Sequence, residues 1–152
     1  MSRFKIKRLR LAHWTVTLSF LVVQGWAASQ FLGGSQRMTD ALIGLGYPTY
    51  LVKVLGLATL LGIVAIATSF SLVLKEWAYA GFAFEACGAF ASHLSAGDSP
   101  VTLVAPAVVL GLGLASYTLW KRTLRSASRR KRQRFACDER DELDGMRLSR
   151  AP

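Results

Sequence analysis

Glu85 carries more chemical information than any other residue in this chain. It lies in the run from Lys75 to His93, KEWAYAGFAFEACGAFASH, which is otherwise dominated by apolar and small residues. A carboxyl group in such surroundings needs a proton, a partner or a function. Two readings stay open. In the first, Glu85 binds a proton or contacts a small ligand. A protonated acid both donates and accepts hydrogen bonds, which suits a quinone carbonyl or a proton relay. In the second, it is a structural partner for Gln24, Gln30, Thr59, Ser69 or a backbone carbonyl.

His93 and Tyr79 complete the candidate ligand-binding set. His93 follows Glu85 by eight positions, or ~12 Å along a helix axis, so direct contact is not expected. It would either pass protons between Glu85 and water or pair with Asp98 or Asp40. Tyr79, with Phe82, Phe84 and Phe90, would line a cleft for a quinone-like ring or simply pack. Other chemistries find no support. The sequence has no nucleophile–base pair, no phosphate-cradling glycine loop and no haem attachment motif, so no catalytic residue is assigned. His13 and His93 are expected on opposite sides of a membrane, which leaves no metal site. Cys87 and Cys137 form no CxxC.

These residues must be positioned by membrane helices. Apolar blocks run from His13 to Leu32, Val54 to Leu74, Trp77 to Leu94 and Val101 to Trp120. A bilayer helix takes roughly 17–25 such residues. The expected fold is all-α, an integral membrane four-helix bundle with helices at about 13–32, 48–74, 76–96 and 101–120. Gly33-Gly34 breaks the chain after the first helix, and Ser35 to Leu45 reads as a short surface helix. Gly46-Tyr47-Pro48 turns into the second. Lys75-Glu76 reads as the whole turn between the second and third, which makes them direct neighbours. Gly97-Asp98-Ser99-Pro100 leads into the fourth.

Small residues suggest the packing faces. Gly81, Glu85, Gly88 and Ser92 share one helix face, expected to point into the bundle. Ala107, Gly111 and Ala115 form a stripe suited to close helix contact.

The net charge of +10 is segregated toward the ends. Residues 1–12 form a basic N-terminal segment that includes Arg8 and Arg10. The segment 121–152 is basic and then acidic, is expected to be largely disordered, and includes Arg129, Arg130, Lys131 and Arg132. The loops between are nearly neutral. This is the positive-inside pattern, and it predicts a multi-pass protein of an inner membrane with both termini cytoplasmic. The basic ends are expected to contact anionic lipid of the inner leaflet. A nucleic-acid partner is not expected, because no base-reading fold accompanies the charge.

Leu45-Gly46-Tyr47-Pro48 with Tyr50, Leu55-Gly56, KEWAYAGF from Lys75 to Phe82, Glu85, Gly88-Ala89, Ser92-His93 and Gly97-Asp98 resemble the DoxX-like family of small bacterial membrane proteins. The motifs cover about a third of the chain. The resemblance implies a four-helix membrane domain and a link to quinone-dependent redox systems. Similar proteins usually carry Asp where this chain has Glu85, often Lys where it has Thr59, and often Pro where it has Ala67-Thr68-Ser69. The expected function is an accessory or partner-binding subunit of a respiratory or redox system. Alternatives are an oligomeric proton-coupled transporter and a quinone-interacting oxidoreductase component. Homo-oligomers or a membrane-complex partner are expected, and quinone is the candidate cofactor.

Overall fold

The computed structural model describes residues 3–68 and 70–149; within them, the side chains of 3–6, 130, 131, 134, 137, 138 and 141–149 lie outside the description. Among the described residues five helices follow one another: α1 (Arg3–Leu32), α2 (Gln36–Gly44), α3 (Tyr50–Thr68), α4 (Leu72–Ser95) and α5 (Pro100–Ser149). Gly34, Gly46 and Gly97 separate them with left-handed φ angles of 68°, 84° and 71°. A side chain at these turns would be strained.

Among the described residues, three helices are long and apolar enough to span a bilayer, over Lys7–Leu32, Tyr50–Thr68 and Pro100–Arg129. The expectation of an integral membrane four-helix bundle is therefore corrected: the fold has five helices, three of them of spanning character. α4 has the length, with 24 residues. However, Lys75, Glu76, Glu85 and His93 are distributed along it and interrupt the continuous apolar stretch that marks the three spans.

Large apolar side chains cover the outside. Phe70 is 91% exposed, Phe84 80% and Trp77 73%. Buried positions include His13, Thr17, Gln24, Thr59, Lys75 and Ser116. This arrangement suits hydrocarbon as the surrounding solvent, where apolar side chains face lipid and polar groups find partners inside.

The chain forms two compact units. One is Trp14–Tyr117; the other joins Met1–His13 to Thr118–Pro152. In the first, α3 and α4 make an antiparallel hairpin. Its turn lies between Thr68 and Leu72, not at Lys75-Glu76. Ser71 caps α4 by accepting a bond from the Leu74 amide at 3.4 Å. Phe70 to Leu74 is apolar apart from Ser71, so hydropathy alone carries the helix past the break. Lys75 consequently falls inside α4. It is buried, and its Nζ donates to the Ile66 carbonyl at 2.9 Å. Carbonyls in the last turn of a helix lack partners within it, and the lysine supplies one across the hairpin.

α1 also begins earlier than His13, and α5 runs far beyond Trp120 to Ser149. Lys, Arg, Ala, Glu and Leu are abundant in the extension, and all propagate a helix well.

The glycines that permit close packing are Gly56, Gly62 and Gly113. A Cβ on Gly62 would stand 2.7 Å and 2.8 Å from atoms of the Phe82 ring. Phe82 is buried, and its ring is held edge-on against Phe20. Gly62→Ala is expected to lower stability by about 1–3 kcal/mol, seen as a reduced unfolding temperature in detergent. Gly81→Ala, where a Cβ would meet nothing within 4 Å, is expected to leave it unchanged or slightly raised. Equal behaviour of the two variants would contradict this packing.

Candidate functional site

The buried face of α4 is Lys75, Tyr79, Phe82 and Ala86. These residues recur at spacings of four, three and four, which places them on one side of a helix. The face differs from Gly81–Glu85–Gly88–Ser92, expected to point inward. Gly81 and Gly88 are exposed, and a Cβ on either would meet nothing within 4 Å. Glu85 and Ser92 are half-buried. Tyr79 takes the interior face because its hydroxyl finds Ser116 there, and Phe82 packs edge-on against Phe20 beside it.

Two concavities flank α4, and Phe82 contributes to both. The first is a cleft of about 220 Å³ among α1, α4 and α5, lined by Phe20, Glu76, Tyr79, Phe82, Gly113 and Tyr117 among others. Its aromatic rings are in mutual contact. Phe20 stacks on Tyr79 with centroids 6.3 Å apart, meets Phe82 edge-on at 5.2 Å, and Tyr79 meets Tyr117 at 5.5 Å. Beside the cleft lies a hydroxyl relay. Ser116 Oγ is 2.7 Å from Thr17 Oγ1 and 2.7 Å from Tyr79 Oη. Ser116 is fully buried, so these bonds form without competition from solvent.

The second concavity is a groove of about 430 Å³ between α3 and α4, whose walls include Leu55, Leu61, Gly62, Trp77, Gly81 and Glu85. Glu85 Oε1 lies 3.5 Å from Thr59 Oγ1, which also donates to the Leu55 carbonyl at 2.8 Å. One hydroxyl hydrogen cannot serve both acceptors fully, and the shorter contact takes it. A carboxyl carrying its own proton would therefore complete the contact to Thr59 better than a carboxylate would. Of the structural partners considered for Glu85, Thr59 is in reach, and Ser69 lies outside the described residues.

His93 sits apart from both concavities. Its Nδ1 is 2.7 Å from Asp98 Oδ2, and the neighbouring Ser92 Oγ is 2.6 Å from Tyr47 Oη. The structure thus pairs His93 with Asp98 rather than Asp40. Glu85, Tyr79 and His93 do not converge on one centre. Among the described residues, no cluster of three or more His, Cys, Asp or Glu could hold a metal.

On α5, Ala107 and Gly111 are exposed and Ala115 is half-buried. Gly111 has open space beside it, whereas a Cβ on Gly113 would stand 3.3 Å from the Phe20 ring. Arg8, Arg10, Arg129 and Arg132 are exposed, and the side chains of Arg130 and Lys131 lie outside the description.

Sequence reasoning missed Thr17, Ser116 and Lys75. Thr17 and Ser116 are short polar residues inside apolar blocks, a pattern that hydropathy reads as tolerable noise. A buried stripe at His13, Thr17, Phe20, Gln24 and Ala28 marks the inward face of α1. Its spacing of four, three, four and four was the available signal.

The family profile described as DoxX-like matches residues 14–116. The chain belongs to the DoxX-like family. The match runs from Trp14 to Ser116, so this DoxX-like segment includes the hydroxyl relay, the α3–α4 groove and all of the aromatic cleft except Tyr117. No curated protein and no solved structure matches the chain.

The relay makes a stability prediction for this DoxX-like protein. Ser116→Ala leaves the Thr17 and Tyr79 hydroxyls without their shared partner, at a cost of about 1–2 kcal/mol. Ser19→Ala, at an exposed site where the hydroxyl bonds only to the Thr15 carbonyl of its own helix, is expected to be near neutral. Thermal unfolding in detergent compares the two, and a harmless Ser116→Ala would remove the relay from the stabilising interactions.

Proposed function

We propose that this DoxX-like protein is an accessory, partner-binding subunit of a membrane redox system, with the α3–α4 groove as its docking face. One observation carries the reading. Glu85 opens into an outward groove, and Gly81 and Gly88 beside it leave the helix backbone accessible. A polar group at an apolar surface favours a partner that supplies a hydrogen bond. Exposed glycines let a second helix approach closely. The same features support Gly81, Gly88, Ser92, Ala107, Gly111 and Ala115 as packing positions toward other chains. A subunit of this kind needs no catalytic residue of its own.

A second reading rests on the aromatic cleft. Phe20, Tyr79, Phe82 and Tyr117 surround a space of about 220 Å³, which offers flat, apolar walls to a quinone-class ring. Tyr79 provides a hydroxyl at that wall. On this reading the cleft, rather than Glu85, holds the ligand.

The membrane domain is taken as 13–120, in the inner membrane of a bacterium.

Photo-crosslinking residues at positions 81 and 88, introduced in native membranes, are expected to give adducts with another transmembrane chain. Glu85→Leu is expected to reduce those adducts at least severalfold while the protein remains folded. Undiminished adducts would remove Glu85 from docking. Quinone co-purifying with the protein, retained in Glu85→Leu and lost in Tyr79→Ala, would favour the cleft instead.

A further inference from the structure

The compact unit made from the two ends of the chain has a concave surface of its own. Among the described residues it is lined by Lys121, Leu124, Arg125, Ser128, Arg129 and Arg132, around a space of about 470 Å³. All six belong to α5. Their spacing puts them on one side of that helix over three turns. Four cations therefore converge on one groove instead of spreading around the helix.

The groove begins where the apolar part of α5 ends. Trp120 precedes it and is buried, with Lys121 Nζ 5.4 Å from its ring centroid. Leu124 adds an apolar surface among the cations. The other segment of this unit contributes exposed Lys7, Arg8 and Arg10. Tertiary structure thus gathers basic residues from opposite ends of the sequence into one body.

We propose that this groove binds a single anionic lipid whose headgroup carries two phosphates. Arginine recognises phosphate oxygens through two parallel N–H donors, and Ser128 adds a neutral hydroxyl. Lys121, Arg125 and Arg129 repeat every four residues, ~6 Å apart along the axis. That ladder serves two linked phosphates better than one. Position selects a lipid over a soluble phosphate compound. The groove starts over the last residues of the Pro100–Arg129 span, just past its apolar part, and Leu124 offers contact to the first acyl carbons. Basic pockets at this depth are suited to such headgroups. The site is independent of the α3–α4 groove and of the aromatic cleft.

The test uses the full chain in detergent and in vesicles. Native mass spectrometry follows lipid retention after exposure to diphosphatidylglycerol, to phosphatidylglycerol at matched total charge, and to phosphatidylcholine. One diphosphatidylglycerol per chain is expected to survive, at least tenfold preferred over phosphatidylglycerol. Arg125→Gln with Arg129→Gln is expected to abolish that preference while leaving the unfolding temperature in lipid-free detergent unchanged. Arg122→Gln removes a neighbouring charge that does not line the groove and is expected to keep the preference. Equal retention of the two anionic lipids would overturn the proposal. So would an equal loss in Arg122→Gln, because general attraction would then account for binding. Displacement of the lipid by millimolar inorganic pyrophosphate would assign the groove to a soluble ligand instead.

Discussion

Ser116 is the meeting point of three helices. Its single hydroxyl joins Thr17 of α1 and Tyr79 of α4 to α5, at 2.7 Å in each case. In hydrocarbon, a hydroxyl without a partner has no water to turn to, so this relay specifies how the three helices rotate about their own axes. Phe20 and Tyr79 stack beside it, and Gly113 lets α5 come within contact distance of Phe20. The aromatic cleft is what remains between rings that the relay has already oriented.

A second constraint closes the α3–α4 hairpin. Lys75 reaches the Ile66 carbonyl and satisfies the end of α3. A buried ammonium is expensive, and the carbonyl at a helix C-terminus is a favourable place for it. With that end fixed, Gly62 meets Phe82 and Thr59 meets Glu85 further along the hairpin. The acid that draws attention in the sequence is thereby turned toward a groove that faces away from the relay. The chain therefore separates its internal polar contact at Ser116 from the outward one at Glu85.

Thr59 lies within 3.5 Å of Glu85. It satisfies its own hydroxyl on the Leu55 carbonyl and offers the acid only a weak contact. Among the described residues no cation pairs with Glu85. A weakly partnered acid fits a site completed from outside the chain.

Much of the architecture was legible in the residues. Long apolar blocks, the Gly34, Gly46 and Gly97 turns and the segregation of basic charge follow from solvation and backbone sterics, which act locally and leave periodic marks. The site was less legible. Lys75-Glu76 reads as a turn because charge usually marks one, yet Ser71 caps α4 earlier and carries the lysine into the interior. Gly81, Glu85 and Gly88 lie on one face by spacing alone, but spacing cannot say which way the face looks. The sequence by itself determined a chain of membrane helices with basic ends and one acid in an apolar setting. Only the tertiary structure decided that Tyr79 and Phe82 take the inner face and that Glu85 lines a groove on another side of α4. Helix rotation is set by contacts between residues far apart in the chain, such as Thr17 with Ser116, and no local pattern encodes it.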